Sequence, residues 1–281
     1  MKTLTQFQTA ALMLCFTAAH LFAFRPEGSS LVICIAAEAA AAGTVYIIAV
    51  LFCRLPVLRG GAGRVLSAAA GVYFLAALLL LTAEYCRGVQ FCFPEFYSLP
   101  MVAVMLAAAA VYCASMGLSG CGRSGCAAVV MTVIALAVMS AGAASGFDPD
   151  RLNIAVRDRE GQLIRQLISA LLHSYELPLL ILLMRHHTER PYRAAALYSL
   201  GRIAMTAPAL AVCAGVLGNM GQEKQPVMML ASFAKTVIVE RFDALMLLFW
   251  TLCTVLAGAG LLAGARLCLK AVTNKAGRSV A

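Results

Sequence analysis

His173, Ser174, Tyr175 and Glu176, followed by Pro178, set an imidazole, two hydroxyls and a carboxyl beside a proline, near the middle of an apolar run from Leu163 to Met184. A His and a Glu three residues apart share one face of a helix, so His173 and Glu176 can form one polar site. Pro178 has no N–H for the Ser174 carbonyl, and its ring clashes with that carbonyl, so a helix here must kink or unwind. At membrane depth, freed backbone groups and an acid are tolerated only where protein or a water-lined cavity surrounds them. The run therefore reads as a broken spanning helix carrying a buried polar site. A plain proline kink, with His173 and Glu176 bonded to neighbouring helices, is the other reading of the same residues.

Further polar side chains lie in apolar surroundings. Glu38 sits among alanines, where an ionised carboxyl costs several kcal/mol unless paired. It reads as a neutral carboxyl bonded across a helix interface, with a proton-sensitive site as the alternative. Arg202, a little over two turns into its helix, reads as an anchor snorkelling to the inner surface. Glu240, Arg241 and Asp243 form a charged group at a helix start, where acids favour the N-terminal dipole. They read as a local ion-pair cluster or as an outer gate or subunit contact. The eleven cysteines are scattered mostly through apolar runs and behave as small hydrophobes. Cys86 and Cys92 share an expected outer loop and could pair, while Cys121 and Cys126 lack the further ligands of a zinc site. No nucleophile and base pair, metal cluster or phosphate-binding glycine loop is recognisable, so neither an enzyme nor a cofactor is expected.

The elements that must position these groups are membrane helices. Hydrophobic residues make up 62% of the chain and charged residues 12%, with a mean hydropathy of +0.87, far from the balance of soluble domains. About eight apolar windows are long enough to cross roughly 30 Å of hydrocarbon. They run over about 5–24, 30–52, 65–82, 99–116, 125–144, 163–184, 194–217 and 237–269, within a single transmembrane domain over 1–281. The first has no small-residue cleavage site before Arg25 and Pro26 and reads as a helix, not as a signal peptide. With the N-terminus inside, the inner segments hold twelve basic residues against the single acid Glu189, and the outer segments hold Glu27, Glu84, Glu95, Asp148, Asp150, Asp158, Glu160 and Glu223. This asymmetry places both termini in the cytoplasm. It also accounts for the net charge of +9, which in a soluble domain would suggest nucleic acid, so no nucleic-acid partner is expected.

One segment is more specific. From Gln225 and Pro226 the chain runs to Glu240, Arg241, Asp243 and then Trp250, its only tryptophan. This resembles the approach to the eighth helix of the spore germination permeases, the GerAB-like B subunits of germinant receptors. Gly117 and Leu118 followed by Arg123 are similar to the end of that family's fourth helix, and His173 to Glu176 resembles the aromatic and Glu element of its broken sixth helix.

The resemblance implies an all-α integral membrane fold of the amino acid–polyamine–organocation (APC) superfamily, LeuT-like, with inverted repeats and a small-molecule site at mid-membrane. With about eight helices where the family has ten, the last two would be lacking, or the sequence is a fragment. Carried over by position, the ligand site comprises Thr17 and His20, Tyr73, and His173, Tyr175, Glu176 and Pro178. The implied function is that of a germinant receptor subunit in the bacterial inner (spore) membrane. It would bind a nutrient such as an amino acid and signal to A-type and C-type subunits. A proton- or cation-coupled amino acid permease, with Glu176 or Glu38 carrying the proton, and a non-binding membrane scaffold are the alternatives.

Overall fold

The computed structural model describes residues 3–26, 29–54, 61–92, 98–153, 159–218, 220, 225–234 and 242–273. Among them are ten α-helices: α1 (Gln6–Ala23), α2 (Leu31–Arg54), α3 (Gly61–Cys92), α4 (Leu99–Ser115), α5 (Gly117–Ala143), α6 (Arg159–Leu172), α7 (Leu177–His186), α8 (Pro191–Leu217), α9 (Pro226–Phe233) and α10 (Phe242–Thr273). The molecule is an all-α polytopic membrane bundle.

Local chemistry sets the helix starts. The Thr5 hydroxyl accepts from the Gln8 N–H at 3.3 Å while the Gln8 side chain accepts from the Thr5 N–H at 3.1 Å, a reciprocal cap for α1. Prolines occupy the first turns of α4, α7, α8 and α9, where the missing N–H has no helical partner to lose. Gly117, at φ +78°, makes the turn from α4 into α5, a backbone conformation that suits glycine.

The expectation of about eight spans resolves into three classes. Six helices are long and apolar enough to cross a membrane: α1, α2, α3, α5 (extended by a 3-10 turn to Gly146), α8 and α10. Helices α6 and α7 qualify only as a pair, bent by 49° at their junction, and α4 is a shorter apolar helix. Two boundaries differ from expectation. Helix α5 begins at Gly117 instead of near 125, and its first turns pack closely on α1. A Cβ at Gly122 would lie 2.9 Å from Gln8, and one at Gly125 would lie 3.4 Å from the Leu12 backbone nitrogen. Cys86 is a free thiol, and both it and Cys92 fall within α3, not in a loop. The group Glu240 and Arg241 lies outside the described residues, while Asp243 stands in the first turn of α10.

Helix α10 runs through the centre, against α1, α3, α4 and α5, and buries Phe242, Trp250, Leu256 and Leu261. Its glycines admit close neighbours: a Cβ at Gly264 would meet Leu179 at 2.9 Å and Phe74 at 3.1 Å. Small residues at such crossings let helices gain van der Waals contact that lipid does not supply. Helix α2 lies against α6 and α8, and α1 stands between the two groups. The tightest approach is at Gly88 on α3, where an added Cβ would fall 2.0 Å from the buried Trp250 ring. Gly88→Ala is therefore expected to lower stability by about 1–3 kcal/mol, the usual cost of overpacking. Thermal unfolding of the purified protein checks it, and an unchanged midpoint would mean that the ring is free to move.

Candidate functional site

The break between α6 and α7 is where the polar chemistry concentrates. Helix α6 ends at Leu172, and Pro178 lies in the first turn of α7. The Ser174 carbonyl, deprived of a donor by Pro178, accepts instead from the Leu177 N–H at 3.1 Å. The Ser174 hydroxyl donates to the Ala170 carbonyl at 2.8 Å. The break thus turns Glu176 one way and His173 and Tyr175 another.

Glu176 turns inward to α8. Its carboxylate accepts from the Tyr198 hydroxyl and, at 3.1 Å, from Arg202 Nη1. The same guanidinium nitrogen reaches the Ser174 Oγ at 2.9 Å and the Tyr198 hydroxyl at 3.2 Å. Its Nε and Nη2 both donate to Glu38 Oε2, at 3.1 and 2.9 Å. Arg202 is 3% exposed, and Glu38, Ser174, Glu176 and Tyr198 are buried with it. Arg202 is therefore not the snorkelling anchor expected from its position. It is the centre of an ion-paired network that joins α2, α8 and the α6–α7 break. Glu38 does bond across a helix interface, but as one half of an ion pair with this guanidinium and not as the neutral carboxyl expected.

His173 and Tyr175 turn the other way, toward α3. His173 Nδ1 lies 2.7 Å from the Ser169 carbonyl, which can only accept, so that nitrogen carries the proton. Its Nε2 faces Glu84 Oε1 at 3.5 Å, and the Tyr175 hydroxyl donates to the same oxygen at 2.8 Å. The His20 ring stacks on His173 with centroids 5.0 Å apart. These groups border a cavity of about 230 Å³ whose lining includes His20, Glu38, Glu84, Arg87, Gln166 and His173. A second, water-sized cavity of about 10 Å³ adjoins it, bounded by Thr17, His20, Glu38, His173, Glu176 and Arg202. The buried Thr17 Oγ1 and His20 Nδ1 have no hydrogen-bond partner among the described residues.

Of the residues proposed from the sequence, Thr17, His20, His173 and Glu176 thus come together, and Tyr175 and Pro178 shape the break. Tyr73 borders neither cavity, although it is near enough to Glu176 and Tyr175 to interact with them electrostatically. It lies on α3, 38% exposed and edge-on to Phe74. Helix α1 runs unbroken through Thr17 and His20, as its lack of Gly and Pro there requires. Sequence reasoning missed Glu84, Tyr198 and Arg202 as members of the polar group. Glu84 and Arg202 carry a usable signal, each being a charged side chain inside a helix long enough to span, whereas Tyr198 carries none.

Removing the guanidinium would strand two buried carboxyls. Arg202→Met is expected to cost about 3–5 kcal/mol, the loss typical of breaking a buried pair, and Glu38→Gln added to it should recover part of that loss. Thermal melts of the single and double variants decide this. A double variant no more stable than Arg202→Met alone would show that the arginine acts by packing.

A family model for the spore germination protein family matches residues 60–280. That match takes in α3 with Glu84, the broken pair, α8 with Arg202 and the whole of α10. No curated protein matches the chain. The matched segment covers most of the sequence, including the break and Arg202 though not Glu38, and on the ground of that coverage the chain belongs to the spore germination permease family.

Proposed function

We propose that this protein is the membrane subunit of a germinant receptor and that it binds a small zwitterionic nutrient, an amino acid, in the cavity beside the α6–α7 break. The single observation that carries this reading is the charge layout of that cavity. Glu84 and Glu38 lie on one lining with the cations Arg25 and Arg87, together with His20, His173 and Gln166. An ammonium group bonded to Glu84 and a carboxylate directed to Arg87 would use both signs of charge. At about 230 Å³ the space is smaller than the roughly 300–1,000 Å³ of sites for drug-sized ligands, which favours a compact molecule.

The broken helix offers a route from binding to signal. A ligand that engages Glu84 competes with the Tyr175 hydroxyl, which ties α3 to the break, and crowds the His173 ring beside it. Their release would alter the angle between α6 and α7, and partner subunits of A and C type in the spore inner membrane would read that change.

Glu84 and His173 are the positions to test, because both are partly exposed and stand outside the buried Arg202 network. Equilibrium binding of an amino-acid panel to the purified protein in lipid should be saturable. Glu84→Gln should weaken it about tenfold or more, as expected when a hydrogen bond to a charged group is lost. His173→Ala should weaken it less. Uptake into proteoliposomes separates a receptor from a permease, and absence of binding by the intact protein would leave only the scaffold reading.

A further inference from the structure

A separate groove lies at the opposite end of the bundle, where α4, the start of α5 and the last turns of α10 meet. It encloses about 440 Å³ and is walled by Val111 and Ala114 on α4, Leu118 on α5, and Leu262 and Leu267 on α10, with Arg266 and Lys270 at its edge. Leu262, Arg266 and Lys270 follow one another at intervals of four, so they form one stripe along α10. That stripe passes from apolar to cationic toward the helix end. Helix α10 has 32 residues, about 48 Å at 1.5 Å per residue, against roughly 30 Å of hydrocarbon, so its last turns reach the headgroup layer. Both cations are exposed, and among the described residues neither forms an ion pair with an acid. This end is also the one that the Lys and Arg asymmetry assigns to the cytoplasm.

We infer that the groove between α4, α5 and α10 is a binding site for an anionic phospholipid of the cytoplasmic leaflet. An acyl chain lies against Val111, Ala114 and Leu262, and the headgroup phosphate is held by Arg266 and Lys270. Charge complementarity selects the lipid class. A zwitterionic headgroup would set its own ammonium beside two cations, whereas a phosphatidylglycerol headgroup carries only the phosphate charge. Basic pockets between spanning helices on the cytoplasmic side bind anionic lipids elsewhere by the same physics. The site stands far from the α6–α7 cavity and does not depend on what that cavity binds.

The test titrates the purified protein in neutral detergent with phosphatidylglycerol and with phosphatidylcholine of the same chains, and native mass spectrometry counts the lipids retained. Phosphatidylglycerol should be preferred at least tenfold. Arg266→Gln with Lys270→Gln should abolish the preference, and Ala114→Trp should also lower retention, by filling the groove while leaving both cations in place. Arg123→Gln with Arg193→Gln, which removes charge from the same end outside the groove, should change nothing. Equal retention of the two lipids overturns the proposal, as does loss in the Arg123 and Arg193 control or full retention in Ala114→Trp. Equal competition by glycerol phosphate would assign a free anion instead. A photo-crosslink from position Ser115 to protein in place of lipid would assign a partner helix.

Discussion

A guanidinium shut away from water keeps its proton, so wherever Arg202 is buried the surrounding helices must bring it acceptors. Four side chains meet that demand, from α2, from the α6–α7 break and from α8 itself. Because the acceptors are a fixed distance from one nitrogen fork, the positions of these elements are no longer independent. The break stays open at its observed angle because Ser174 and Glu176 are held by this network on one side and Tyr175 is held by Glu84 on the other.

The two polar groups at the break have different burdens. The Arg202 network is buried and densely bonded, which suits a structural role, since each of its members loses hydrogen bonds if another leaves. The Glu84 group is partly exposed and shares a single carboxylate oxygen between His173 and Tyr175. On the proposed reading, an incoming ligand would compete for that oxygen without exposing a buried charge, so that stability and responsiveness would be separated across a few residues of one broken helix.

The helical membrane class was readable from composition, and the break from Pro178, because a proline acts through its own ring and missing N–H wherever it is placed. The closeness of His173 to Thr17 and His20 came only through the family resemblance, which carries spatial neighbours along with sequence position. What the sequence alone hid were the long-range partners. Nothing in the spacing around Arg202 says that Glu38, on another helix, supplies its counter-charge. Glu84 read as a loop acid because the apolar window of its helix ends at Thr82, whereas α3 continues to Cys92 by packing on α10.

Glu38 and Arg202 lie 164 positions apart in the chain. During synthesis the acid enters the bilayer long before its partner has been translated, at an insertion cost of about 2.5–3.5 kcal/mol for a charge at mid-helix. The apolar remainder of α2 must carry that cost alone until α8 arrives. An unmatched acid in the early helices therefore distinguishes an unfinished or misassembled chain from a complete one. It gives membrane quality control a chemical difference to recognise.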